Sequence, residues 1–197
     1  MKHPERHLLL RSTLRENFSE QYINRFEGYR MSDDDMKVLT DSAKILLEKI
    51  PIRTHNSFLL SPLWASLIQQ KTRIPLAVVY GDLEYNEKKL FVCTRPLGPA
   101  ADTESALISG GHCWIEIGGQ IADFSLFRTI YYGNLQEHIR KPLIEQFGEG
   151  RGPMIAKPEL FNKKGLNYAP SYSLSLKQTE RFSQGHLNLS NIQEELL

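Results

Sequence analysis

Gly110 to Ser125, GGHCWIEIGGQIADFS, is the stretch whose reading decides the fold. The apolar residues of HCWIEI and QIADF flank Gly118 and Gly119, a pair free to take the positive φ angles that a type I′ turn demands. The segment therefore reads as a tight β-hairpin. With Ile117 and Gln120 beside the turn, Trp114 stands opposite Asp123 and His112 opposite Ser125. Side chains alternate faces along a strand, so His112, Trp114 and Glu116 share one face with Asp123, while Cys113 takes the other.

His112 and Asp123 are then diagonal cross-strand neighbours, roughly 7 to 8 Å apart at the backbone, within reach of a carboxylate–imidazole hydrogen bond. An imidazole held in this way has its tautomer and orientation set, as a general base requires. The plain alternative is that Asp123 closes a strand and His112 is an ordinary half-buried histidine. A nucleophile as third partner is what separates the two readings.

Upstream, residues 50–83, IPIRTHNSFLLSPLWASLIQQKTRIPLAVVYGDL, form the second informative stretch. Leu60, Leu63, Trp64, Leu67 and Ile68 make one apolar face, so a buried helix runs to about Lys71. Ile74 to Tyr80 is nearly all apolar and rich in branched residues, as a central strand is. The helix has two possible starts. Pro62 fits the first helical position with Ser61 as its cap. A start near Ser57 instead makes Pro62 remove one early hydrogen bond and kink the first turn.

Nearer the N-terminus, Leu10, Leu14, Phe18, Tyr22 and Phe26 recur every four residues, a helical stripe from about Leu8 to Phe26. Ser32 followed by Asp33, Asp34 and Asp35 suits a helix N-terminus, where unpaired amides and the dipole favour a hydroxyl and carboxylates. A metal-binding reading of the same run is weaker, because Met36, Leu39, Ala43, Leu46 and Ile50 continue as an amphipathic helix that Pro51 ends. Leu90–Thr94 predicts a strand and Arg95–Ser109 a loop bordering a cleft. Beyond the hairpin, Asn134 with Glu137 predicts a capping box for a helix that Pro142 interrupts. GEGRGP, Gly148–Pro153, lacks the lysine of a phosphate loop and reads as a connector. The remainder to Leu197 is Pro-, Ser-, Asn- and Gln-rich, with strand-like alternation in YSLSLK and no second core, so it covers the domain or engages a partner.

The 197 residues, 41% hydrophobic, suffice for one sizeable core and predict a single domain over 1–197: N-terminal helices over 1–50, a core over 51–130, and a helix with a loop-rich segment over 131–197. A formal charge of +1, from 24 basic and 23 acidic side chains, provides no electrostatic footprint for nucleic acid or an anionic membrane. The three-leucine run in MKHPERHLLLRS is too short for a signal-peptide core, and no stretch approaches a membrane span, so a cytoplasmic location is expected. Secretion without such a signal stays compatible with that. Two cysteines, Cys93 and Cys113, make neither a disulfide framework nor a zinc pattern, and no metal or nucleotide motif is present. A cofactor-free protein is expected.

A helix opening on a small polar residue, a strand beginning IPLAVVYG, and HCWIEIGGQIADFS together resemble the transglutaminase-like branch of the papain-like cysteine hydrolases. The likeness covers roughly Thr54 to Phe127; its hairpin half is similar also to the leader peptidases that process lasso peptides. The resemblance implies an α+β papain-like core, a helix packed on an antiparallel sheet. It puts His112 in the place of the family's histidine and Asp123 in that of its aspartate. Family spacing back from Ile74 and Pro75 puts the nucleophile at Ser57 or its immediate neighbours, where the family has cysteine.

That departure matters chemically. A cysteine at a helix N-terminus beside an imidazolium is held as thiolate, whereas a serine must lose its proton to the histidine during attack. Three explanations stand: an inactivating Cys→Ser replacement, a natural Ser/His/Asp hydrolase, or a degenerate relative that only binds. Ser61 is the rival nucleophile position, though its role as a helix cap accounts for it. Cys113 faces away from His112, and Cys93 reads as a small buried hydrophobe. For the oxyanion, the resemblance implies the Ser57 backbone amide as first donor, with Asn56 or His55 as side-chain donor, each equally readable as a turn residue. Trp114 is expected to pack on the helix or line the cleft, and Glu116 to be solvated. The implied reaction is acyl transfer at an amide of a peptide or protein, as a peptidase, amidase or glutamine deamidase. The rival is a non-catalytic module using the same groove.

Overall fold

The computed structural model describes residues 3–95, 97–98, 101, 105 and 108–184. Most of the loop expected over Arg95–Ser109, and residues 185–197 of the C-terminal segment, lie outside the described residues. The architecture is α+β: an open, six-stranded antiparallel sheet with, among the described residues, eight helices. No helix among them is long and apolar enough to cross a membrane.

Strand β1 (Leu76–Tyr85) is the axis of the sheet. It is buried along most of its length, which explains its near-continuous apolar sequence. On one edge, β3 (His112–Ile117) pairs with Leu76–Gly81 and β2 (Lys88–Phe91) with Leu83–Tyr85. Along the other edge runs β6 (Leu166–Ser173), paired from Val79 to Tyr85. β4 (Gln120–Asp123) follows β3, and β5 (Met154–Ala156) closes that side. The strand expected over Leu90–Thr94 is therefore displaced toward the N-terminus. The edge of β1 up to Gly81 is already occupied by β3, and the Cys93 amide instead donates to Asp82 Oδ1 at 2.7 Å.

Alternation along the strands divides the interior into two layers. Against one face pack α3 (Asp33–Lys49), α4 (Ser57–Lys71) and α8 (Leu176–Gln184), whose Leu46, Leu63, Trp64 and Phe182 meet Val78, Tyr80, Cys113 and Ile115. On the other face lie α1 (His3–Arg15), α2 (Glu20–Gly28), α5 (Leu126–Tyr132), α6 (Glu137–Phe147) and α7 (Pro158–Lys163), over Val79, Leu83, Trp114 and Tyr168.

Several local expectations change. The stripe from Leu8 to Phe26 belongs to two helices, because Ser19 breaks it and caps α2 by accepting from the Tyr22 amide. Ser32 and Asp35 do form a reciprocal capping box on α3. α6 begins at Glu137 with Gln136 at its cap and no side-chain cap bond, so Asn134 does not cap it. The largest change is at the C-terminal end. Leu166–Ser173 is a full partner of the central strand rather than a loop-rich covering, whereas of YSLSLK only Tyr172 and Ser173 are strand.

Candidate active site

Helix α4 starts at Ser57 because Asn56 caps it: its side-chain oxygen accepts from the Phe58 amide at 2.9 Å and its carbonyl from Leu60 at 3.0 Å. Pro62 is thus inside the helix, where it has no amide to offer the Phe58 carbonyl. Ser57 Oγ accepts from the Cys113 amide at 3.2 Å, and Ser61, one turn on, donates to the Cys113 carbonyl at 2.7 Å. The two hydroxyls pin the start of α4 to β3. Ser61 is fully buried in this tie and does not line the cavity that Ser57 and His112 share.

The hairpin has the register expected of it: Ile117 pairs with Gln120, Glu116 with Ile121, Ile115 with Ala122. Gly118 and Gly119 take φ of 55° and 74° at the turn. His112 opens β3 after Gly110, at φ 83°, and Gly111, where an added Cβ would stand 2.0 Å from the Tyr80 ring. The diagonal contact forms: His112 Nε2 lies 2.6 Å from Asp123 Oδ2, with both residues 1% exposed.

Asp123 is densely hydrogen-bonded. Oδ1 accepts from the Ser125 amide (2.9 Å), the Ser125 hydroxyl (3.2 Å) and the Leu126 amide (3.0 Å), and Oδ2 also accepts from the Tyr168 hydroxyl (2.9 Å). Burial pushes its pKa up, but the His112 ring and these donors outweigh that and hold the carboxyl below its ordinary value. An ionised carboxylate only accepts, so Nε2 carries the proton and Nδ1 is left as the ring's free lone pair in the neutral form. Nδ1 is buried and has no hydrogen-bond partner among the described residues. Phe91 stacks on the ring at 4.8 Å.

At the end of the sheet where β3 begins, a cavity of about 190 Å³ lies beside His112. His55, Asn56, Ser57 and Phe58 line it from the helix side, Phe91, Gly111 and His112 from the sheet side. As the first helical residue, Ser57 also has an amide with no acceptor inside the helix. The segment leading into α4 is held from α5. Arg128 donates to the carbonyls of Pro51 (2.8 Å) and Thr54 (3.2 Å), and Thr129 to that of His55 (3.1 Å).

Ser57 and His112 thus line one cavity, with Asp123 hydrogen-bonded to the His112 ring; the three auxiliary residues are used differently. The Asn56 oxygen is engaged as helix cap. His55 is exposed, with its Nδ1 2.8 Å from the Arg53 carbonyl. Trp114 neither packs on α4 nor lines the cavity: it is fully buried in the opposite layer, edge-on to Tyr168, and donates to Glu116 Oε1 at 2.6 Å. Glu116 is not solvated but 2% exposed and paired with Arg6 of α1. Cys113 faces α4, and burial pushes its thiol well up. Cys93 is only partly buried, contrary to its reading as an apolar core residue.

Tyr168 and Arg6 escape the sequence reading. Leu166, Tyr168, Pro170 and Tyr172 at alternate positions are the available sequence signal for β6, whose burial alternates with them, but nothing local ties Tyr168 to Asp123. Asp33–Asp35 serve the α3 terminus, and no group of three or more His, Cys, Asp or Glu among the described residues is placed to hold a metal ion. No protein-family model matches this chain, and neither does any curated protein or solved structure.

Proposed function

We propose that this chain is built for acyl transfer at an amide of a peptide or protein, in the manner of the transglutaminase-like hydrolases that its hairpin resembles. One observation carries the reading. His112, with Nε2 committed to Asp123, keeps a buried and unpartnered Nδ1 at a cavity shared with Ser57 on the first turn of a helix. In this reading residue 57 attacks the amide carbon and Nδ1 of His112 takes its proton. Asp123 holds the ring and offsets the imidazolium charge, and the Ser57 amide faces the developing oxyanion. The ring then returns the proton to the leaving nitrogen, and water releases the acyl group from residue 57. The steps call on no redox or group-carrying cofactor. Peptide cleavage and side-chain deamidation share them and differ in which amide the cavity admits.

A second reading, a non-catalytic module that binds a peptide segment, is favoured by the hydrogen bond from the Cys113 amide to Ser57 Oγ. That bond gives the hydroxyl a structural task of its own. The two readings part on one measurement: the alkylation rate against pH of a Ser57→Cys variant with Cys93 and Cys113 replaced by alanine, with and without His112→Ala. The catalytic reading expects a thiol still reactive at about pH 5 to 6, against an ordinary thiol pKa of about 8.5, with that reactivity lost alongside His112. Ordinary reactivity, indifferent to His112, removes the catalytic assignment and leaves the binding module.

A further inference from the structure

The Asp123 carboxylate is held unevenly. Three donors from Ser125 and Leu126 fix Oδ1, so the carboxyl plane is already set without help from elsewhere. Oδ2 receives two donors, the imidazole Nε2–H and the Tyr168 hydroxyl. These two compete for the charge of one oxygen, since each hydrogen bond that an anionic oxygen accepts disperses part of what it offers the next.

The hydroxyl is not there by side-chain drift. Tyr168 is 1% exposed, and its ring packs edge-on against Trp114 and against Phe161, both at 5.2 Å between centroids. Its carbonyl accepts from Arg6 Nε at 2.9 Å, which anchors the backbone from α1. These contacts hold the ring with its hydroxyl on Asp123, and a phenylalanine would keep all of them.

We propose that Tyr168 is a positioning residue acting through Asp123: it draws charge from Oδ2 and so sets how tightly the carboxylate grips the His112 ring. Its bearing on catalysis rests on the acyl-transfer reading; its effect on the His112–Asp123 bond does not. By weakening that grip, Tyr168 limits how firmly the carboxylate holds the ring whose Nδ1 faces the cavity. A base held too strongly as imidazolium does not release its proton to a leaving nitrogen, and efficiency is greatest with matched affinities.

The test is the ring Nε2–H proton resonance of His112 in ¹⁵N-labelled protein with Ser57 in place, assigned by its loss in His112→Gln. In Tyr168→Phe the resonance shifts downfield, because Oδ2, relieved of one donor, accepts more strongly from the ring. Site-specific 3-fluorotyrosine at 168, a stronger donor, shifts it upfield and covers the case in which the Phe variant does not fold. A resonance that stays put, or that moves the opposite way in either protein, overturns the proposal. Neither readout involves turnover, so failure here is separate from failure of the Ser57→Cys alkylation test, which bears on the acyl-transfer reading alone.

Discussion

Asp123 accepts five hydrogen bonds, three on Oδ1 and two on Oδ2, in a site with almost no access to water. The balance of those donors against burial depresses its pKa, and the sign of the consequence follows by linkage. A carboxyl with a folded pKa below its unfolded value of about 3.9 contributes stability that is present above that pH and lost as pH falls through the folded value. Asp123→Asn must turn an amide N–H toward a group that itself donates, at a cost of about 3 kcal/mol near neutral pH. Urea unfolding of both proteins at a series of pH values checks this: the gap is expected to be widest above pH 4 and to narrow below it, since the asparagine takes up no proton. The pairing itself was legible beforehand, because two residues on adjacent hairpin arms have their faces decided by counting from the turn. The same counting could not show that Glu116, two positions from Trp114, spends its charge on Arg6 inside the protein.

At the level of the elements, the sheet depends on how closely β6 approaches β1. The pairing is irregular between Tyr80 and Gly81, where the register passes from Tyr172 to Pro170, and there the backbones come close enough that a Cβ on Gly81 would stand 2.0 Å from the Ala169 carbonyl oxygen. Neither backbone can yield without parting the strands. Gly81→Ala is expected to cost about 3 kcal/mol, the upper range for overpacking, read as a lower urea midpoint. The glycine is plain in the sequence, but its reason lies on a strand some ninety positions on, as counted from Gly81 to Ala169. Local periodicity likewise ran α1 and α2 together: an every-four spacing survives a short break when both helices bury the same layer.

Taken whole, the molecule is tied from its first helix to its hairpin and its last strand. Arg6 of α1, 4% exposed, pairs with Glu116 of β3 and donates to the Tyr168 carbonyl of β6. Removing one member of a buried ion pair strands the other charge in a medium that solvates it poorly, at a cost of about 3–5 kcal/mol, whereas removing both can be nearly neutral. Arg6→Met is therefore expected to destabilise severely, and Arg6→Met with Glu116→Gln to regain much of the loss, as a double-mutant cycle in urea measures. Acting alone, the sequence determined what its short-range periods encode: a two-residue turn sets the hairpin register, alternation sets the face of His112 and Asp123, and an apolar stripe sets a helix running to about Lys71, with its start left open. Only the tertiary structure decided which distant groups complete those faces. Tyr168 reaches Asp123 across 45 residues and Arg6 reaches Glu116 across 110. Such pairings arise when two layers close on one sheet and every buried polar group must find a partner, a condition on the whole packing rather than on any stretch of chain.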